Sequence, residues 1–267
     1  MKKVFLTGAS AGIGLATARL LTEKGHEIWG TARDPKRVPA IPRLHPMQLD
    51  LNDSRSIENG FNAALAEAEY FDVLINNAGS GHFGPGENLS VEEIARQFQI
   101  LVFGQLQLMR LAVASMRSRQ GGVIINVTSL ASRLPVPFMA AYNAAKAAMA
   151  SFTMSMQLEL PDSKVRLVDL QPADIRTEFN DAVIKTSMSD PRYDAKVAKT
   201  WEAVDRNMKA APGPELVAQR ILKLINDANP PARVTVGDAF QSRIAPLIFR
   251  FLPQRVRIWG LKMYYGI

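Results

Sequence analysis

The sequence predicts a doubly wound α/β fold, a parallel sheet covered by helices on both faces. Three observations carry that expectation. Short β-branched apolar runs recur from the third residue onward, helical patterns separate them, and the runs are continuously apolar instead of alternating with polar residues. Strands buried on both faces need that last property, and helices between strands return the chain to run parallel.

The elements follow in order. The run KVFLT opens the chain, and a glycine-rich turn leads from it into a helical segment near 12–24. HEIWGTA and HPMQLD read as the second and third strands, followed by a helix near 53–68. FDVLIN reads as the fourth strand, GGVIINVTS as the fifth and KVRLVDLQP as the sixth, with helices near 90–118 and 141–160 between them. A last helix near 214–227 precedes the strand ARVTVGD. Between Asn180 and Pro214 charges are mixed and periodicity is weak, so 180–213 is expected to be an irregular insertion after the sixth strand. Ligands of such folds bind beyond the carboxyl ends of the strands, where an insertion would serve as a substrate lid. No repeat, low-complexity tract or Pro/Gly linker divides the chain, so 1–267 is expected to form a single domain.

Composition narrows the function. Hydrophobic residues make up 47% and charged residues 21%, which is the globular range and argues against disorder. The absence of cysteine excludes a disulfide framework, thiol nucleophiles and thiolate metal sites, and suits a reducing cytoplasm. The opening MKKVFLTGAS is basic and then apolar, like a signal peptide, but its apolar part is too short and reads as a buried strand. No run approaches the ~18 consecutive apolar residues that span a bilayer. His26, His45 and His82 lack ligand-like spacing and read as surface or turn histidines, so no metal is expected.

A net charge of +7 suits nucleic acid, a membrane surface or a phosphorylated ligand. The bias is partly local. After Asp238 no acidic residue occurs, while Arg243, Arg250, Arg255, Arg257 and Lys262 are interleaved with Phe249, Phe251, Trp259, Tyr264 and Tyr265. This basic-aromatic segment, 239–267, suits contact with a membrane interface, or packing on its own domain or a neighbouring subunit.

In LTGASAGIG, Gly8, Gly12 and Gly14 permit a tight turn and close backbone approach, and the following helix presents amides and its positive dipole end to a phosphate. Placed after a first strand, the turn points to a dinucleotide. In AAYNAAKAAMA, Tyr142 and Lys146 stand one turn apart on one helix face, an arrangement that alone is ordinary on a solvated surface. The glycine spacing is T-G-x-x-x-G-x-G, NNAG fills Asn76 to Gly79 after the fourth strand, Ser129 follows the fifth, and Tyr142-x-x-x-Lys146 follows that. From Lys3 to about Gly237 the sequence thereby resembles the short-chain dehydrogenase/reductase family, whose fold is Rossmann-like; the last thirty residues lie outside the resemblance.

The resemblance implies an NADP(H)-dependent oxidoreductase that interconverts a carbonyl and a secondary alcohol. Ser129 would hydrogen-bond the substrate oxygen, Tyr142 would give or take the proton, and Lys146 would tune Tyr142 and hold the nicotinamide ribose. A phenol with a pKa of about 10 is a poor base at neutral pH, and lowering it by ~3 units would take ~4 kcal/mol from the neighbouring ammonium. The cofactor would lie on Gly8, Ser10, Gly12, Ile13 and Gly14, with Asp50 and Leu51 at the adenine and Asn77, Ala78 and Gly79 beside the ribose. In QPADIRTE, Pro172, Ile175 and Thr177 would meet the carboxamide; Ala173 replaces a usual glycine and is expected to shift this loop slightly. In IWGTARDP, Thr31 stands where NAD-dependent relatives carry an acid, and Arg33 stands just beyond. Asp34 and the non-basic Ala11 argue the other way, but the balance favours NADP(H) over NAD(H).

One departure from the family is larger. Many relatives carry an asparagine in the helix containing FQILVFGQLQ, completing a proton relay through a water to the lysine, and here Leu101 occupies that place. Its backbone carbonyl would still hold a water if the helix were locally distorted. Two readings therefore stand: a working reductase, and a cofactor-binding sensor or scaffold with little turnover. Leu134, Val136, Phe138 and Met139 beside the reacting centre suit a small or hydrophobic steroid-, retinoid- or acyl-like carbonyl. Met139, Met149, Met154 and Met156 otherwise read as core filler. Nucleic acid is not expected as a partner. Family habit implies a homo-oligomer through the helices at 90–118 and 141–160, in the cytoplasm, with peripheral membrane contact through the C-terminal segment left open.

Overall fold

Every strand expected from the sequence is present in the computed structural model, which describes residues 1–119, 121–160, 164–185 and 190–267. The strands are β1 (Lys3–Thr7), β2 (Glu27–Ala32), β3 (Leu44–Gln48), β4 (Val73–Asn76), β5 (His82–Phe83), β6 (Gly122–Val127), β7 (Val165–Pro172), β8 (Ile184–Lys185) and β9 (Arg233–Val236). The helices are α1 (Gly12–Glu23), α2 (Ser54–Ala68), α3 (Val91–Phe98), α4 (Gly104–Ser118), α5 (Ala140–Glu159), α6 (Asp194–Ala210), α7 (Glu215–Asn226), α8 (Ala245–Phe251) and α9 (Gln254–Tyr265).

Among the described residues, seven strands form one parallel sheet in the order β3-β2-β1-β4-β6-β7-β9. The chain winds outward from β1 in one direction and from β4 in the other, so a crevice opens beyond the carboxyl ends of these two neighbours. Alternate residues of a strand serve opposite faces, which explains the unbroken apolar runs. Val4 and Leu6 of β1 pack with Leu21 of α1 and Val217 and Ile221 of α7. Phe5 between them packs with Phe61 of α2 and with Leu108 and Met109 of α4. The segment Val91–Ser118 is long and apolar enough to cross a membrane, yet its α4 half belongs to this core.

Three expectations need correction. Within 180–213 lies the 17-residue helix α6, and β8 pairs with β5; residues 186–189 are outside the described ones. Among the residues of α6 only Thr200 and Ala203 are buried; the half-buried Val197, Trp201, Val204 and Met208 form its apolar stripe at helical spacing, a pattern obscured by the mixed charges between them. The expected single helix over 90–118 is interrupted by a π-helical turn at Gln99–Phe103. His26 and His82 are buried instead of lying at the surface, and His26 Nδ1 accepts the Lys2 amide at 3.1 Å.

Close packing at the crevice makes one glycine irreplaceable. A Cβ at Gly14 would lie 2.0 Å from the Gly8 carbonyl oxygen and 2.6 Å from Asn77 Nδ2, whereas one at Gly260 in α9 would meet nothing within 4 Å. Gly14→Ala is expected to lower unfolding stability by ~1–3 kcal/mol through overpacking. Gly260→Ala should raise it by ~0.5–1 kcal/mol through helix propensity alone. Denaturant titration of the two variants beside the parent checks both signs.

Candidate active site

The glycine turn forms because its backbone enters space that side chains cannot. Gly8 has φ +73° and Gly12 φ +53°, and a Cβ at Gly8 would lie 2.9 Å from Ala78 Cα. Helix α1 then starts at Gly12 with no side-chain cap from Ala11 and no acidic residue in its first turn. Its leading amides are left for a ligand, in a field that favours an anion. Asn77 locks the two diverging strands: its Nδ2 donates to Thr7 O at 2.9 Å, and Thr7 Oγ1 accepts from the amides of Asn77 at 2.9 Å and Ala78 at 3.0 Å.

A cavity of about 1380 Å³ runs from this turn across the sheet's carboxyl edge. Of the sequence-predicted residues it is lined by Gly8, Ser10, Gly12, Ile13, Arg33, Asp50, Leu51, Asn77, Ala78, Gly79, Ser129, Leu134, Val136, Met139, Tyr142, Lys146, Pro172, Ile175 and Thr177. Two expectations are corrected. Gly14 lies behind the wall, where it lets α1 press on Gly8, and Phe138 turns away to pack against Phe83 and Tyr193. Phe138 does so from a left-handed backbone, φ +61°, immediately before α5. Of the four methionines, Met139 lines the cavity, Met149 is buried in the core and Met154 is exposed.

Ser129, two residues past β6, meets the first turns of α5, so that its hydroxyl hydrogen-bonds the Tyr142 hydroxyl. One turn on, Lys146 is only 4% exposed and its Nζ donates to Val127 O at 2.8 Å, lying 5.8 Å from the centre of the Tyr142 ring. Burial dominates both groups. It pushes the Tyr142 phenol up to about 12, against a smaller opposite effect of the Ser129 hydrogen bond. Burial brings Lys146 down to about 8, with the Asp169 carboxylate pulling the other way. The direction is opposite to the expected depression by Lys146: burial disfavours the phenolate. At neutral pH the pair is a phenol beside an ammonium, an arrangement suited to giving a proton.

The profile of the short chain dehydrogenase family matches residues 2–187. The chain belongs to the short-chain dehydrogenase family. It is 28% identical to a 3-ketodihydrosphingosine reductase of Bacteroides thetaiotaomicron over 99% of this chain and 98% of that protein. Among solved structures, a short-chain dehydrogenase/reductase from Burkholderia phymatum in complex with NAD superposes with a TM-score of 0.81 at 22% identity, covering 97% of this chain and 95% of that one. A metagenomic short-chain oxidoreductase in complex with NADP gives 0.71 at 27% identity, covering 88% and 96%. This short-chain dehydrogenase is thus an oxidoreductase whose structural neighbours hold either nucleotide.

Its own residues fit such a dinucleotide. The uncapped amides of α1 and the side-chain-free approach over Gly8 and Gly12 suit a pyrophosphate. At the far end Arg33 lines the cavity with Arg37, which sequence reasoning had missed for want of a motif around it. Asp34 is otherwise engaged: its Oδ1 accepts the Lys36 amide at 3.0 Å and caps the short turn at Pro35–Arg37.

Both departures from the family pattern have local answers. Ala173 donates its amide to Val236 O at 2.7 Å, and a Cβ at Gly237 would come within 2.6 Å of the Ala173 methyl, so Gly237 provides the room that Ala173 takes. Leu101 is fully buried inside the π-helical turn, in one cluster with Tyr142 and Ala145. A Cβ at Gly79 would lie 3.1 Å from Leu101 Cδ2 and 3.9 Å from Lys146 Nζ, so Gly79 fills the space between the leucine and the ammonium with backbone alone. The Gly104 amide bonds back to Gln99 O, the widened backbone pairing that the relay water would need in place of an asparagine.

Asp169 was also missed, although an acid inside the apolar run RLVDLQ is a visible anomaly. Buried on β7, it accepts from the Thr128 hydroxyl, from Gln171 Nε2 at 2.8 Å and from Arg233 Nε at 2.7 Å.

The depressed Lys146 pKa fixes the sign of a stability effect. Below about 8 the ammonium is charged in both folded and unfolded chains, and its full burial penalty falls on the folded one. Between about 8 and the ordinary lysine value of 10.5 only the unfolded chain holds the proton, so the penalty fades as pH rises. Lys146→Met is therefore expected to raise stability at neutral pH, by up to about 3 kcal/mol before the lost Val127 hydrogen bond is deducted. Thermal melts of parent and variant across this pH range should show the gap narrowing toward alkaline pH; a gap that widens would contradict the assignment.

Proposed function

We propose that this short-chain dehydrogenase reduces the carbonyl group of a long, apolar substrate with NADPH. The observation that carries the reading is the continuity of one cavity: beyond Ser129 and Tyr142 its lining includes Leu134, Val136, Met139, Met208, Ile248 and Phe249, with Asp174, Asn207 and Gln241 as polar points among them. A wall so largely apolar suits a hydrocarbon chain and offers a sugar phosphate little. The similarity along almost the whole chain to a protein named as a 3-ketodihydrosphingosine reductase supports the same substrate class, a ketone close to a polar head and followed by a long tail.

The bound nicotinamide supplies the hydride. The chain's residues manage the oxygen. Ser129 orients the carbonyl oxygen by a hydrogen bond, and Tyr142, a full phenol at neutral pH, donates its proton as negative charge develops there. Lys146 keeps a positive charge beside the phenolate this leaves, and a water on the widened backbone of the π-helical turn would return a proton to it in place of the asparagine relay. A phenol held near 12 is protonated at neutral pH, the state from which a reduction starts. Helix α6, with Val204 and Met208 on the cavity, acts as the lid over the tail, and the exposed Phe103, Phe152, Met154 and Leu158 form the face of a homo-oligomer.

For the cofactor we infer NADP(H), because Arg33 and Arg37 flank the end of β2 while Asp34 is tied to its own turn.

Two outcomes test the reading. With NADPH and a 3-keto long-chain amine as substrate, Tyr142→Phe is expected to lose ~10²–10⁴-fold in kcat while its NADPH affinity stays within error of the parent. Unchanged consumption in the variant, or no consumption in the parent across hydrophobic ketones, would overturn it. Arg33→Ala is expected to weaken NADPH binding by ~10–100-fold, the scale of a lost charge-assisted hydrogen bond, and to leave NADH binding unaltered. Calorimetric titration with both nucleotides decides this.

A further inference from the structure

The C-terminal helices α8 and α9 have two different faces. One lines the substrate end of the cavity through Ile248, Phe249, Leu261 and Tyr265. The other is apolar and open: Phe251 is 75% exposed and Trp259 64%, with Leu247 and Met263 exposed beside them. Set among these are Arg243, Arg250, Arg255 and Lys262, all exposed, and after Asp238 the sequence contains no acid to pair with them.

Neither helix has a core to hold it. Ala245 is the one buried residue of α8, and α9 has none. Helices of 7 and 12 residues are marginal in water without a covered apolar face. Arg257 fastens the turn between them by donating to Leu252 O at 2.7 Å, and Asn207 Nδ2 of α6 donates to the Tyr264 hydroxyl at 3.0 Å. These contacts set the hairpin's place and leave its outer face bare.

We propose that this outer face docks on an anionic lipid bilayer, so that the cavity opens toward the membrane and the apolar substrate enters from the lipid phase. The charge argues for this occupant. Cations without a compensating acid, spaced among Trp and Phe, match a surface whose head groups are negative and whose interior takes the rings. A second copy of the chain would bring the same four cations against their like. Entry from the lipid also gives the inner lining its purpose, since the same two helices that meet the bilayer form the wall leading to Tyr142. The docking rests on the reductase reading only for the nature of the substrate.

The test uses the full chain and sedimentation with vesicles of phosphatidylcholine alone or mixed with phosphatidylglycerol. The parent is expected to pellet with the mixed vesicles, less so at high salt, and to shift its tryptophan emission to the blue; Trp259→Phe should remove that shift, because Trp29 is buried and Trp201 packs against Phe83 inside the protein. The double variants Arg250→Glu with Arg255→Glu, and Phe251→Ser with Trp259→Ser, should each bind at least ~10-fold more weakly while keeping the parent's NADPH affinity. Should a double variant fail to fold, the parent's lipid and salt dependence and the Trp259→Phe spectrum still decide. A parent that stays in the supernatant with mixed vesicles overturns the proposal, as does a dimer of the parent that Phe251→Ser with Trp259→Ser converts to monomer. Sedimentation needs no turnover: failure to pellet with ketone reduction intact removes the docking alone, and pelleting without any ketone reduction removes the reductase reading alone.

Discussion

Lys146 keeps an ammonium group in a nearly dry pocket by donating it to the carbonyl of Val127, and that contact ties α5 to the end of β6. The rest of the site depends on it. Tyr142 sits one helical turn earlier, so fixing Lys146 against the strand also fixes the phenol against Ser129. Asp169 supports the charge, held in turn by Gln171 of its own strand and by Thr128 and Arg233 of neighbouring segments. A buried ammonium stands at a cost, and Lys146 meets it with one good acceptor and one buried carboxylate nearby. Removing the charge is therefore expected to help folding and harm chemistry, which is the usual sign of a residue kept for function.

The frame of this site was legible from residue patterns because the patterns and the packing have the same cause. Val4 and Leu6 serve one face of the sheet and Phe5 the other, so a strand buried on both sides must be written as an unbroken apolar run. The glycine turn was legible for a related reason: a Cβ at Gly8 would collide with Ala78, and the left-handed backbone at Gly8 and Gly12 is one that glycine adopts without strain. Helix α6 escaped although Val197, Trp201, Val204 and Met208 recur at helical spacing, because Lys196, Lys199, Glu202, Asp205 and Arg206 around them made the segment read as one of mixed charge. The sign of the Tyr142 shift escaped for a different reason. Sequence places a lysine one turn away, which argues for a lower value, but it does not reveal that the phenol packs against Leu101 and Ala145, where burial disfavours its charged form.

The two departures from the family pattern teach a related lesson about side chains and backbone. Ala173 for glycine asks for the volume of one methyl, and Gly237 on the adjoining segment gives it up. Leu101 for asparagine removes a polar group, and the chain at that point has left the regular helix for a π-helical turn. In both places a change of side chain is answered by the backbone beside it, which single-position reading passes over.

The two ends of the cavity are built to different standards. The nucleotide and reacting end is made by strand ends, the α1 N-terminus and the buried Lys146, all anchored in the double core, and it tolerates little movement. The far end is made by α6, α8 and α9, which bury few residues of their own. Proton transfer needs atoms held within tenths of an ångström, whereas a long apolar tail needs only a dry wall that adapts to its length. A fold that spends its packing on the first end and economises at the second keeps one chemistry while leaving room for the substrate to be long. The thin helices are also the ones with an uncovered apolar face, so the part of the molecule least able to stabilise itself is the part with most to gain from an external surface.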